Sequence, residues 1–341
     1  MSRSCKASRI AFLAALLAAR AFAAEPLPAL GADAAALTVS GLSAGAYMAV
    51  QFQVAHSAVV KGAAALAGGP YYCAQGNVWT AYYNCMTPGW WTPLPPASVL
   101  RFQTESFARA GKIDPLRNLA HSRAWLFTGT KDGTVSQDVV KALRDYYALF
   151  GVDTRLVADQ PAGHGMVTES SGSACGATAP PYINDCHYDA AGELLKYLLG
   201  DLAPPPAQES GALVRFDQAP YAGGDAAAIG LAAEGFIYVP QSCRSARCRI
   251  HVAFHGCAQN AESVGERFVR DAGYNRWADA NRLLVLYPQT TARHLPLFNP
   301  RGCWDWWGYT GALYATRDGA QIRAVMAMIE RLAATNPPPT R

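Results

Sequence analysis

The 341-residue sequence predicts an α/β fold, a mostly parallel central sheet flanked by helices, with the chain order circularly permuted. Three observations predict it. Short apolar runs of strand length alternate with helix-compatible stretches, the pattern of parallel βα units. A strand–turn–helix near the N-terminus carries Gly41-Leu42-Ser43-Ala44-Gly45. A strand far downstream ends in His255-Gly256-Cys257, a turn that ordinarily stands upstream of such a serine.

The chain opens on a basic region with Arg3, Lys6 and Arg9, an apolar run from Ile10 to Ala19, and the small-x-small site Ala21-Phe22-Ala23. This is the layout of a secretory signal peptide over 1–23, which leaves residues 24–341 as a single permuted catalytic domain. No later segment reaches the roughly 18 apolar residues a membrane helix needs, so no membrane partner is expected. The whole chain has 29 Lys+Arg against 25 Asp+Glu. Losing Arg3, Lys6, Arg9 and Arg20 leaves 25 of each, a formally neutral mature chain. That balance argues against nucleic acid as a partner and suits an uncharged substrate. The expectation is a monomer.

Nine cysteines become eight once Cys5 leaves with the signal peptide. An even number in an exported chain reads as a disulfide set. Proximity pairs Cys73–Cys85, Cys175–Cys186, Cys243–Cys248 and Cys257–Cys303, one choice among about 105 pairings. Cys-x2-Cys is absent and the histidines are poorly spaced for zinc, so neither a metal nor another cofactor is expected. The Pro-rich stretch 202–211 reads as a surface connection inside one domain, because neither half of the chain holds a full catalytic set.

The elements follow in order. Residues 36–39 form a strand and 46–55 a helix, so Gly41 to Gly45 is a nucleophile elbow and the sheet is that of an α/β-hydrolase. Ser43 is the candidate nucleophile, exposed at a helix N-terminus where developing negative charge is favoured. The buried strand 124–127 ends in a loop that carries Asp132, the candidate orienting acid, just beyond the strand's carboxyl end. Asp138, Asp153 and Asp159 are weaker alternatives. A helix over 137–150 and a strand over 154–157 lead to Gly163-His164-Gly165, where His164 is the candidate base. His56 and His121 precede Asp132, and His187 lies in a Cys-rich loop.

Stabilising a tetrahedral intermediate takes two backbone N–H donors, one of them the residue after the nucleophile, Ala44. The second comes from the other end of the chain. Residues 248–254 form a strand ending in His255-Gly256-Cys257, a helix-like stretch fills 261–280, a strand covers 283–288, and a last helix runs over 317–333. In the standard order this block precedes the nucleophile strand. Its position here predicts the permutation and makes Cys257 the second donor.

Taken together, residues 41–49, the Asp132 and His164 loops, 254–257 and Gly302-Cys303-Trp304-Asp305-Trp306-Trp307-Gly308-Tyr309 resemble the extracellular poly(3-hydroxybutyrate) depolymerases of permuted, single-domain type. The resemblance covers nearly the whole mature chain. It implies a serine esterase with Ser43, Asp132 and His164 as triad, Ala44 and Cys257 as oxyanion hole, and short-chain polyhydroxyalkanoate as substrate. Feruloyl and acetyl esterases share the His-Gly-Cys and Cys-Trp-x-Trp patterns and supply the alternative, a small-ester carboxylesterase.

Trp307, Trp306 and Tyr309 are the candidates for gripping substrate, since aromatic faces hold aliphatic chains and indole N–H can meet a carbonyl. In an extended segment, Trp304 and Trp306 would point one way and Trp307 the other, with Trp307 lining the crevice. A second aromatic group comprises Tyr71, Tyr72, Trp79, Tyr82, Tyr83, Trp90 and Trp91. Adsorption to a solid substrate would depend on exposed apolar residues of the catalytic domain itself.

Overall fold

The computed structural model describes residues 24–335. The predicted signal peptide with Cys5, and the tail 336–341, lie outside the described residues. The strands are β1 (Asp33–Leu42), β2 (Val60–Leu66), β3 (Arg123–Phe127), β4 (Asp153–Val157), β5 (Met166–Thr168), β6 (Ser173–Ala174), β7 (Ile183–Asp185), β8 (Ala212–Asp217), β9 (Glu234–Val239), β10 (Arg249–Phe254) and β11 (Leu283–Tyr287). The helices are α1 (Ala44–Ala55), α2 (Val78–Cys85), α3 (Ala97–Arg109), α4 (Gln137–Ala148), α5 (Ala190–Leu199), α6 (Ala261–Val264), α7 (Arg267–Asp271), α8 (Tyr274–Ala280) and α9 (Ala320–Ala333).

Eight strands form one sheet in the order β4-β3-β2-β1-β10-β11-β9-β8. Only β9 runs against its neighbours. Counting from β8 instead, the spatial order becomes 1-2-4-3-5-6-7-8 with the second strand antiparallel. This is an α/β-hydrolase sheet whose usual ends are joined, between α5 and β8, and whose chain is instead opened between α9 and β1. The opened ends lie side by side: the amides of Leu30 and Gly31 donate to the carbonyls of Leu332 and Ala334 at 3.1 and 2.9 Å. The connection 202–211 lies against α8, with Ala203 N–H donating to Asn281 Oδ1 at 2.8 Å and Ser210 N–H to Asp279 Oδ2 at 2.6 Å.

The central strands show why the sheet takes this form. The second half of β1 is buried on both faces, as is all of β11, which is the signature of strands covered by helices on each side. Every residue of α1 is buried. The helix is apolar all round because the sheet covers one side and the 303–307 segment the other, where Gln51 Nε2 donates to Asp305 O at 2.9 Å.

Two predicted elements need correction. The stretch 261–280 is three short helices rather than one, since Gly265 and Gly273 adopt φ of +62° and +91° and break it. The last helix starts at Ala320 rather than 317, because Gly319 before it is extended, with φ −60° and ψ 130°, and packs against the backbone of Tyr314. The four disulfides are the ones proximity predicts.

β1 and β10 end in the two turns that matter below, and a buried histidine holds them together. His251 of β10 lies between Thr38 and Ser40 of β1, with Thr38 Oγ1 at 2.8 Å from Nδ1 and Ser40 Oγ at 2.7 Å from Nε2. Burial pushes His251 down to about 3 and His255 to about 4. Both rings stay neutral in the folded protein, whereas the unfolded chain takes up protons below about 6.5. Their contribution to stability is therefore complete above about pH 6.5 and is lost progressively as pH falls toward 4. Each should cost about 2 kcal/mol near pH 5. Urea unfolding compared near pH 7.5 and near pH 5 checks this, and an unchanged midpoint would contradict it.

Candidate active site

The elbow is set by steric exclusion. Ser43 has φ 55° and ψ −121°, a backbone conformation costly for any residue with a Cβ. A Cβ on Gly41 would sit 2.2 Å from Gly45 O, and one on Gly45 would sit 2.3 Å from Phe254 O. The first glycine lets the turn close. The second lets α1 pack directly against the end of β10. Ser43 N–H donates to Leu66 O at 2.9 Å, which fastens the turn to β2 and leaves its side chain facing a cleft.

The structure brings Asp132 and His164 together. Asp132 Oδ1 accepts from the amides of Thr134 and Val135 at 2.8 and 2.9 Å, and its Oδ2 lies 2.8 Å from His164 Nδ1. Both side chains are buried. With Nδ1 occupied by the carboxylate, Nε2 is the nitrogen left for the cleft, which His164 lines together with Ser43. The two loops interlock: a Cβ on Gly129 would sit 2.0 Å from Ala162 O, and one on Gly163 would sit 2.3 Å from Ala177 O. His164 N–H donates to Thr178 Oγ1 at 2.9 Å, which steadies the loop from its far side. The alternatives are engaged elsewhere, Asp138 with Lys141 and Asp153 with Arg123.

Cys257 lies on the cleft wall in the turn after β10. Of three consecutive amides, Gly256 N–H donates to Gln259 Oε1 at 2.8 Å and Ala258 N–H to Arg301 O at 2.6 Å. Among the described residues, the Cys257 amide between them has no acceptor, and neither has Ala44 at the start of α1. A nucleophilic hydroxyl at a helix N-terminus, an imidazole oriented by a buried carboxylate and two unused amides are what acyl transfer requires.

The cleft has a volume of 520 Å³, and its walls include Val78, Met86, Phe298, Trp306 and Trp307. Trp306 and Trp307 both line it, so the predicted alternation fails. The segment is wound around buried Asp305, whose carboxylate accepts from the amides of Trp307, Gly308, Tyr309 and Thr310, rather than extended. Trp306 stacks on Tyr47 at 4.0 Å and Trp304 is buried against Phe254. Tyr309 is a correction: it is not on the cleft wall, and its hydroxyl donates to Cys303 O at 2.8 Å and accepts from Gln321 Nε2 at 2.7 Å. It braces the segment from behind.

Sequence reasoning missed Gln259. Fully buried, it accepts from Gly256 N–H while its Nε2 donates to the carbonyls of Pro181 and Tyr182 at 3.1 and 2.8 Å. It thereby joins the turn 256–258 to the segment that supports His164. Its place two residues after Cys257 was the only signal available.

No protein-family model matches the chain. Relatives and solved structures do. It is 42% identical over 329 residues to a poly(3-hydroxybutyrate) depolymerase of Delftia acidovorans, covering 93% of this chain but 64% of that longer protein. It is 35% identical over 341 residues to a polyhydroxybutyrate depolymerase of Talaromyces funiculosus, covering 95% and 97% of the two chains. The crystal structure of the depolymerase from Penicillium funiculosum superposes with a TM-score of 0.81 at 33% identity, over 90% of this chain and 98% of that one. A serine-to-alanine variant of such an enzyme, complexed with an R3HB trimer, superposes with a TM-score of 0.82 at the same identity and coverage. Sequence and fold agree over nearly all of the described residues: this chain belongs to the polyhydroxybutyrate depolymerase family of α/β-hydrolases.

Proposed function

We propose that this protein is a secreted, monomeric esterase that cleaves polyhydroxybutyrate through an acyl-enzyme on Ser43. One observation carries the reading: Ser43, the Asp132–His164 pair and the unused Cys257 amide converge on a single largely apolar cleft. His164 Nε2 takes the Ser43 proton as the hydroxyl attacks the ester carbonyl, and Asp132 steadies the imidazolium. The Ala44 and Cys257 amides hold the oxyanion. The alcohol portion leaves with the proton from His164, and water then releases the acyl portion by the same route. Four disulfides and the signal-peptide layout at 1–23 support export.

The cleft opens beside a surface suited to a solid polyester. On α2, Val78 and Tyr82 line the cleft while Trp79 and Tyr83 stack outside it, 6.1 Å apart. Beyond them Trp90 and Trp91 are 89% and 90% exposed, an arrangement water disfavours unless something apolar covers it. The test is clearing of a polyhydroxybutyrate suspension. Clearing should occur, and Trp90→Ser with Trp91→Ser should lower the ratio of polymer clearing to soluble-ester hydrolysis roughly tenfold or more. Hydrolysis of feruloyl or acetyl esters with no clearing would instead support a small-ester carboxylesterase.

A further inference from the structure

Among the described residues, no carboxylate lines the cleft, and two basic side chains do. One is His164. The other is Arg301, the sole formally cationic residue of the lining. Its side chain is exposed, and among the described residues no carboxylate lies within ion-pair distance of it. Its guanidinium Nη2 donates to the hydroxyl of Tyr182, 3.4 Å away, and Tyr182 lines the same cleft. A phenol that accepts from a guanidinium keeps its own proton to give. The pair therefore presents donors from both residues toward the cleft, with no acceptor among the described residues to use them.

Both residues are held from behind by the oxyanion turn. Arg301 O accepts from Ala258 N–H at 2.6 Å, and the neighbouring Cys303 is bonded to Cys257. Tyr182 O accepts from Gln259 Nε2 at 2.8 Å, and the same Gln259 holds Gly256 N–H. The donors thus stand at a set position relative to the atoms that would bind the ester. A guanidinium beside a hydroxyl is suited to a carboxylate.

An internal segment of a polyester offers no carboxylate, but every chain end of one polarity does. When an ester bond is cleaved, the acyl portion passes to Ser43 and the alcohol portion leaves. In an oligomer with a free acid end, that end belongs to the alcohol portion. We infer that Arg301 and Tyr182 receive the terminal carboxylate of acid-ended oligoesters, so that the enzyme continues on the soluble fragments it releases. This inference rests on the polyester reading above and deepens it.

The experiment compares kcat/KM for the free acid and the methyl ester of one (R)-3-hydroxybutyrate trimer at low ionic strength. The parent should prefer the acid by roughly three- to tenfold, the size expected of a charge pair at an exposed rim. Arg301→Gln should bring the ratio to one or below, Arg301→Lys should keep part of it, and Tyr182→Phe should reduce it. Salt near 1 M should erode the preference in the parent. Thermal melts of each variant report folding separately, and the ratio is internal to each protein. Equal rates on acid and ester by the parent, or an undiminished preference in Arg301→Gln, would overturn the inference and leave the esterase reading intact. Hydrolysis of neither trimer would overturn the polyester reading itself.

Discussion

Replacing Ser43 by Ala should lower kcat by roughly 10⁴- to 10⁶-fold while the protein still folds, because only the nucleophile is lost. Among the described residues, no hydrogen bond of the hydroxyl holds the elbow, whose shape comes from Gly41, Gly45 and the Ser43 amide bonded to Leu66 O. Relief of unfavourable dihedrals is not expected, since alanine keeps the Cβ. Asp132→Asn should cost roughly 10⁴-fold. The reason lies in the hydrogen bonds. Oδ1 accepts two amides and Oδ2 meets His164 Nδ1, so the carboxylate is wholly an acceptor. An asparagine must turn its NH₂ toward one of those donors or toward the imidazole. Facing the imidazole, it selects the tautomer with the proton on Nε2, which cannot take the proton from Ser43. Steady-state kinetics on a soluble ester, with near-ultraviolet circular dichroism as the folding control, checks both variants. Retention of most activity by Asp132→Asn would assign the orienting role to another acid.

The second large effect concerns chain order. Residues 24–201 contain Ser43, Asp132 and His164, yet this fragment should show no esterase activity. It lacks β8 to β11, half of the eight-stranded sheet, and leaves the buried β1 as an exposed edge without its β10 partner. It also lacks the Cys257 amide, and losing one oxyanion donor should alone cost about 3–4 kcal/mol in the transition state. A chain opened within 202–206, with its C-terminus joined through a short linker to residue 24, should behave oppositely. Leu30 and Gly31 already pair with Leu332 and Ala334, side by side where the new link would run. Closing it costs little, because loop entropy grows only slowly with length. The rearranged protein should hydrolyse soluble esters within about tenfold of the parent, since every contact of the sheet is kept. Gel filtration and kinetics of both chains settle the matter. A soluble, active 24–201 fragment would refute the permuted arrangement.

The nucleophile elbow was legible in sequence because its cause is local. Within five residues, steric exclusion demands glycine at 41 and 45 whatever lies beyond, and strand and helix patterns flank it. The Asp132 and His164 loops were legible for a related reason: each follows the carboxyl end of a strand, and parallel sheets gather those ends on one edge. The permutation followed from the order of such local signals along the chain. The disulfides were within reach because each joins neighbours among few cysteines.

The tertiary structure decided what depends on partners distant in sequence. Gln259 binds carbonyls 77 and 78 residues away, and Arg301 meets a hydroxyl 119 residues away. No periodicity or motif encodes such pairs, because they arise where separate loops meet at the sheet edge. Tyr309 was misplaced for the same reason. Its ring chemistry suits a substrate cleft, but Asp305 gathers four successive amides and winds the segment so that the hydroxyl faces Cys303 and Gln321. Residue type states what a side chain can do. Only the backbone's path through the packed core decides which neighbour it does it to.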